Sequence, residues 1–272
     1  MTPAPGTPWP RLIATDLDGS LLGTEGLVSD RTRQVLTAVE ELGVPVVFVT
    51  GRPIRWMEKL WDAVGGHGLA ICSNGGVVYD VATHRVRSAH TIDRRVLLEV
   101  GQTLRRVVPG TSFALEKTTG FALEPEFFPD ADDRHFREIP RGPLEEIVEG
   151  RVVKLLARHD ELAPAQFWSV VEETVGTRVT TTWSSVGSLV EMSALGVTKA
   201  SALADLCAEL RIEPSEVVAF GDMPNDLPML EWAGTSYAMA NAHPTVLELA
   251  DHTAGLNTED GVAEALVAIF GL

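Results

Sequence analysis

Short apolar runs that stop abruptly in polar or small residues, each followed by a segment with helical spacing, recur along this chain. The first is Leu12-Ile13-Ala14-Thr15, which breaks into Asp16-Leu17-Asp18-Gly19-Ser20. Residues two apart on an extended chain face the same side, so Asp16 and Asp18 can converge at the strand's carboxyl end. Gly19 lets the chain turn away there without a Cβ clash. Taken alone, this stretch fits a buried strand closing in an idle acidic turn equally well. Ser29-Asp30 then precedes an amphipathic run with Val35, Ala38, Val39 and Leu42 at helical spacing, closed by Gly43. Val44 to Val49 is continuously apolar, as a strand covered on both faces is. It ends in Thr50-Gly51-Arg52, and Pro53 opens a helix whose Trp56, Met57, Leu60, Trp61 and Val64 read as core packing. Leu69 to Cys72 is a third buried strand, ended by Ser73-Asn74-Gly75-Gly76. This rhythm predicts a parallel sheet with right-handed crossovers, in which ligands bind beyond the carboxyl ends of the strands. Asp16, Asp18, Thr50 and Asn74 all occupy that edge.

From about Val81 the pattern changes. Residues 84–90 alternate, 94–108 have helical spacing, and 112–123 offer short strands broken at Thr119-Gly120. Residues 125–143 read as a loop with one short helix, 151–157 and 178–183 as strands, and 161–175 as a helix. Strands and helices segregated in this way predict an α+β module. The first pattern then returns with a strand at 188–192, a helix opened by Thr198-Lys199, and a buried strand, Val217 to Phe220, that ends in Gly221-Asp222. Met223-Pro224-Asn225-Asp226 leads into a short helix, and the alternation continues to Phe270. The predicted organisation is a flexible arm at 1–10, an α/β Rossmann-like core at 11–80 and 189–272, and an inserted α+β domain at 81–188. Hinges are expected near Tyr79 to Thr83 and Val186 to Leu189.

Composition narrows the function classes. A formal charge of −16 over 272 residues lacks the electrostatic footprint of a nucleic-acid-binding protein. No apolar run reaches the roughly 18 residues of a membrane-spanning helix, and the proline-rich start does not resemble a secretory signal, so a cytoplasmic protein is expected. Cys72 and Cys207 lie in apolar segments without metal-ligand spacing and read as buried thiols.

Four distant fragments carry the chemistry: Asp16-Leu17-Asp18-Gly19-Ser20, Thr50-Gly51-Arg52, Lys199, and Gly221-Asp222-Met223-Pro224-Asn225-Asp226. In this order, three of them directly after buried strands, they resemble the haloacid dehalogenase superfamily of aspartate-nucleophile phosphatases, in particular the Cof-type branch with a large α+β cap. Ser20 stands where that family often has threonine. The resemblance implies Asp16 as nucleophile, forming an aspartyl phosphate, and Asp18 as general acid and base whose backbone carbonyl also binds metal. Asp16 and Asp222 supply the like charge that favours a protonated Asp18. Thr50 and Gly51 would hold phosphate oxygens, with Arg52, Asn74 and Asn225 contributing to substrate binding. Lys199 would neutralise phosphate and steady Asp16, and Asp16, Asp18, Asp222 and Asp226 would hold Mg²⁺, a hard ion suited to oxygen ligands. Lys154, Trp183, Ser184 and Glu191, with Arg52 and Asn74, are candidates for leaving-group contacts. The expected substrate is a small phosphomonoester, first of all a sugar phosphate, with nucleotide or cofactor phosphates such as pyridoxal or flavin phosphate also open. A phosphotransferase or phosphomutase using the same aspartyl phosphate, or a non-catalytic regulatory protein on this scaffold, are the alternatives. The oligomeric state is not legible in the sequence.

Overall fold

The computed structural model describes residues 9–57, 60, 68–127, 139–183 and 187–272. It divides into two compact units, one formed by Met1–Ser88 with Thr198–Leu272 and the other by Ala89–Val197. Of the expected N-terminal arm, residues 1–8 lie outside the described residues, while Trp9 packs edge-on against Phe270 with ring centroids 5.6 Å apart.

The first unit opens with β1 (Leu12–Thr15), α1 (Asp30–Glu41), β2 (Val46–Val49), α2 (Ile54–Met57), β3 (Leu69–Cys72), β4 (Val77–Asp80) and β5 (Arg85–Ala89). Ser29 caps α1 by accepting the N–H of Thr32, as Ser at an N-cap does. The predicted helix beyond Pro53 is described only as α2, because Trp61 and Val64 lie outside the described residues. In the second unit the order is α3 (Arg94–Val107), β6 (Ser112–Lys117), β7 (Gly120–Leu123), α4 (Leu144–Ile147), β8 (Val152–Arg158), α5 (Pro164–Val175), β9 (Val179–Trp183) and β10 (Leu189–Ala194). Much of the expected loop at 125–143 falls in 128–138, outside the described residues. The chain then returns with α6 (Lys199–Leu210), β11 (Val217–Gly221), α7 (Leu227–Trp232), β12 (Thr235–Ala238), α8 (Pro244–Leu249), β13 (His252–Thr253) and α9 (Gly261–Phe270).

The core sheet has eight strands in the order β13-β12-β11-β1-β2-β3-β4-β5. From β13 through β3 every neighbouring pair is parallel, and β4 runs antiparallel to β3. The four residues of β1, at the centre, are all fully buried, which explains their uninterrupted apolar character up to Thr15. Because the strands are parallel, the residues that follow β1, β2, β3, β11 and β12 emerge along one edge: Asp16, Thr50, Ser73, Asp222 and Met239.

The second unit holds a five-stranded sheet, β7-β6-β8-β10-β9, in which every neighbouring pair is antiparallel. One face packs Phe113, Leu115, Leu155, Val190 and Met192 against Leu97 and Leu104 of α3 and Phe167 and Val171 of α5. The other carries Ala114, Leu123 and Leu156, and on its polar part Lys154 donates to Glu191 Oε2 at 2.6 Å.

Two strands lie in a different sheet from the one the sequence suggested. β5, read as the start of the inserted module, joins the core sheet beside β4. β10, read as the return to the core, sits between β8 and β9. Glu191 and Ser193 interrupt its apolar Val190 and Met192 at every second position, the alternation of an antiparallel strand with one face on helices rather than of a buried parallel one. The units therefore meet at 88/89 and 197/198 instead of at 81 and 189, and Tyr79 of the expected first hinge lies within β4.

Buried Glu124, just after β7, ties the second unit together. Its carboxylate accepts the N–H groups of Phe113 at 3.0 Å and Leu144 at 2.9 Å and pairs with Arg105. Replacing it with alanine orphans two buried donors, so Glu124→Ala is expected to cost ~2–4 kcal/mol of stability, measured by urea denaturation.

Candidate active site

The site is assembled from strand ends and one helix start. The Asp16 N–H still donates to Phe220 O of β11 at 3.0 Å, so its buried carboxylate projects where β1 and β11 run out together. Opposite it, Thr198 caps α6 in a reciprocal pair with Ser201, which makes Lys199 the first residue of the helix. The Lys199 ammonium is 1% exposed and donates to Asp16 Oδ1 at 2.6 Å and to Asp226 Oδ1 at 2.7 Å. The other Asp226 oxygen accepts the N–H groups of Asp222 and Met223 at 3.2 and 3.1 Å. Asp222 Oδ1 in turn accepts the Ser20 hydroxyl at 3.2 Å. Gly19 has φ +79°, and a Cβ there would lie 2.2 Å from Asp222 Oδ2, so the turn after Asp18 admits only glycine.

A second group lies on the loops after β2 and β3. Buried Thr50 accepts the Arg52 N–H through Oγ1 at 3.0 Å, and its carbonyl accepts the Asn74 N–H at 3.0 Å. Asn225 Nδ2 donates to Asn74 Oδ1 at 3.3 Å, and a Cβ on Gly51 would approach that same oxygen to 3.1 Å. Ser73 and Asn74 both have φ 55°, and Gly75 follows at φ +103° with the Thr198 carbonyl where a Cβ would stand. Non-glycine residues in this region cost on the order of 1–3 kcal/mol, a local strain held by the surrounding hydrogen bonds. Arg52 connects the two groups, its Nε meeting Asp18 Oδ2 at 2.7 Å in a two-pronged ion pair.

The ten residues proposed for catalysis, phosphate or substrate binding and metal therefore lie at the same strand-end edge. Asp16, Lys199, Asp222 and Asp226 form one hydrogen-bonded cluster, Thr50, Arg52, Asn74 and Asn225 a second beside Gly51, and Arg52 of the second pairs with Asp18, two residues beyond Asp16. The Arg52–Asp18 pair was not legible, since it sets an opposite charge against Asp18 where the sequence suggested only like charge. Of the candidates outside the core, Lys154 and Glu191 pair with each other, and the Trp183 side chain and Ser184 lie outside the described residues. Also missed was Asn241, which donates to the Gly19 carbonyl at 2.8 Å. It lies three residues beyond the end of β12, on the same strand-end edge, and an asparagine close after a strand was the signal that could have found it.

Crowding governs the electrostatics. Burial, and then Asp226 and Asp222, push Asp16 well above the usual carboxylate range against the opposing pull of Lys199. Burial likewise pushes Asp222 up to about 6, helped by Asp226 and opposed by Ser20 and Lys199. Burial would depress Lys199, but Asp16 and Asp226 reverse this and hold its ammonium above the ordinary lysine value. One carboxylate oxygen from each of Asp16, Asp222 and Asp226 lies within 4.8 Å of the others. With Lys199 as their single cationic partner among the described residues, three ionised carboxylates leave two negative charges, and the all-oxygen donor set fits a hard divalent cation.

The model of the haloacid dehalogenase-like hydrolases matches residues 13–266. The chain belongs to that family. It is 30% identical over 258 residues, 94% of each chain, to the 5-amino-6-(5-phospho-D-ribitylamino)uracil phosphatase YcsE of Bacillus subtilis. It is 28% identical over 267 residues to the pyridoxal phosphate phosphatase YbhA of Escherichia coli, covering 93% of this chain and 96% of that one. The solved structure of BT1666 from Bacteroides thetaiotaomicron superposes with a TM-score of 0.82 at 24% identity, over 99% of this chain and 98% of that chain, and so shares the fold. This haloacid dehalogenase-like hydrolase is thus a phosphatase of the Cof type, as the motifs led one to expect. None of its described helices is long and apolar enough to cross a membrane.

The raised Asp222 value has a consequence for stability. With a folded value of about 6 against an ordinary 3.8, the folded state binds more protons than the unfolded state between those pH values. The contribution is fully present below the ordinary value and is lost as pH rises through the folded one. In chelator the melting temperature is expected to fall across that window, Mg²⁺ to restore it near pH 7, and Asp222→Asn to flatten the slope.

Proposed function

We propose that this phosphatase hydrolyses a small phosphomonoester through an aspartyl-phosphate intermediate with Mg²⁺ bound. The observation that carries this reading is the Lys199 ammonium, buried between Asp16 and Asp226 while Asp222 converges on the same point. An Asp16 oxygen attacks phosphorus and the bond to the leaving oxygen breaks, with the Asp18 proton passing to that oxygen. Asp18, now ionised, takes a proton from water as that water attacks the acyl phosphate, which frees inorganic phosphate and restores Asp16. Lys199 aligns Asp16 and favours its ionised form against the burial that opposes it, and a bound cation would add to that pull. Thr50 Oγ1 accepts the Arg52 N–H and keeps its own hydroxyl proton for a phosphate oxygen, which the Gly51 N–H also meets. Arg52 parts from Asp18 before Asp18 carries a proton, and the incoming phosphate offers the guanidinium a replacement anion.

Asp16, Asp222 and the Asp18 carbonyl would hold Mg²⁺, with Asp226, whose oxygens already accept Lys199 and two backbone N–H groups, acting as support. When bound, the ion supplies the positive charge that lets a phosphate dianion approach these carboxylates. Phosphoryl transfer depends mainly on positioning and electrostatic stabilisation, so no organic cofactor is required. We assign catalysis to the unit containing Asp16, Lys199, Asp222 and Asp226 and regard Ala89–Val197 as the inserted cap. A sugar phosphate remains the first candidate substrate. The named activities of the Bacillus and Escherichia relatives make a ribityl phosphate and pyridoxal phosphate the next to try.

The test is a phosphomonoester panel read by release of inorganic phosphate. Turnover is expected with Mg²⁺ and none with chelator. Asp16→Asn should abolish it, and Asp18→Asn should lower it by ~10²- to 10⁴-fold. Phosphoryl transfer to a sugar hydroxyl without free phosphate would indicate a mutase, and inactivity across the panel a regulatory protein.

A further inference from the structure

The turn that carries Asp18 and Ser20 is wound around a single acceptor. The Leu17 carbonyl takes the N–H groups of Ser20, Leu21 and Leu22 at 3.3, 3.0 and 2.8 Å. The side chains of Leu17, Leu21 and Leu22 anchor this coil in the core, and two carbonyls on either side of Ser20 are held from outside. Asn241 Nδ2 donates to Gly19 O at 2.8 Å, and Asn257 Nδ2 donates to Leu22 O at 2.7 Å. The two residues are themselves joined, because Asn241 Oδ1 accepts the backbone N–H of Asn257 at 3.1 Å. Asn241 lies in a segment that also grips the opposite strand end: the Met239 N–H donates to Gly221 O at 3.1 Å and the His243 N–H to Asp222 O at 2.8 Å. One short stretch after β12 thereby registers the Gly19 turn against Asp222.

We infer that Asn241 is a positioning residue of the phosphatase site, coupled to Asn257, which holds the Gly19–Ser20 peptide so that Ser20 and the Cα of Gly19 stay seated against the Asp222 carboxylate. This rests on the reading of the site given above. Its side chain must donate and accept at once, which an amide does and a carboxylate or methyl does not. Gly19, at φ +79°, has no side chain to resist rotation once its carbonyl is released. Asn241 is exposed, and one exposed amide bond adds little to global stability. A displacement on the order of 1 Å at reacting groups, by contrast, can cost ~10²-fold in rate.

The two effects separate experimentally. With Mg²⁺ and p-nitrophenyl phosphate, Asn241→Ala and Asn241→Asp are expected to lower kcat by ~10- to 10²-fold with little change in KM. The Mg²⁺ concentration needed for half-maximal thermal stabilisation should rise several-fold, while the melting temperature in chelator stays close to that of the unmodified protein. Asn257→Ala should lose less, and the double variant should fall no further than Asn241→Ala, since both amides act on one turn. Should Asn241→Ala not fold, Asn241→Asp keeps an acceptor for Asn257 and replaces the donor to Gly19 with a charged acceptor oxygen. Folded variants whose kcat and Mg²⁺ half-saturation both match the unmodified protein would overturn the inference. Inactivity of the unmodified protein on every phosphomonoester would count against the phosphatase mechanism instead, and the Mg²⁺ thermal shift would still test Asn241.

Discussion

The site depends on one buried cation. Asp16, Asp222 and Asp226 are each at most 6% exposed, and carboxylates removed from water at such short range repel one another unless something between them is positive. Lys199 is that group, and it binds two of them directly. The pairs span 183 and 27 residues of sequence, so the ammonium also joins the first strand of the chain to its last third. Its position follows from a helix start: Thr198 and Ser201 cap each other, and the first residue of α6 then points into the cluster with the helix's partial positive charge behind it.

Lys199 leaves the cluster under-compensated, and that imbalance has a use. A site with balanced charge would be indifferent to a divalent cation, whereas one in which burial pushes Asp16 and Asp222 upward gains from any cation that takes their oxygens. The strained turn at Ser73, Asn74 and Gly75 belongs to the same design, since it lets the Thr198 carbonyl approach Gly75 as no bulkier residue would allow. Precision is then distributed along the sheet edge: β1 and β11 supply carboxylates, β2 and β3 the hydroxyl and amide groups, and β12 the brace at Asn241.

Local pattern made much of this legible. The βαβ rhythm, the buried strands and the helix starts at Ser29 and Thr198 are written in neighbouring residues, and parallel strands put their carboxyl ends on one edge whatever the details. Asp16, Thr50, Asn74 and Asp222 group on that ground from the sequence alone. The sheet membership of β5 and β10 was not legible, because a strand's own alternation does not name its partner. For β10 the interrupting Glu191 and Ser193 carried part of the answer. The Arg52–Asp18 pair depends on the direction of a long side chain, which no spacing rule gives.

What the sequence by itself determined is the family, the α/β alternation and the inventory of groups: two aspartates after one strand, two more after another, a threonine and a lysine. These are properties of short segments and of their order. Only the tertiary structure decided how the groups share one another: that Lys199 spans Asp16 and Asp226, that Asp226 spends its second oxygen on the backbone of Asp222 and Met223, that Arg52 rests on Asp18, and that Asn241 holds Gly19. Each is a contact between distant segments, set by which strands become neighbours and how closely their ends are packed, and a hydrogen bond exists only when both partners have arrived.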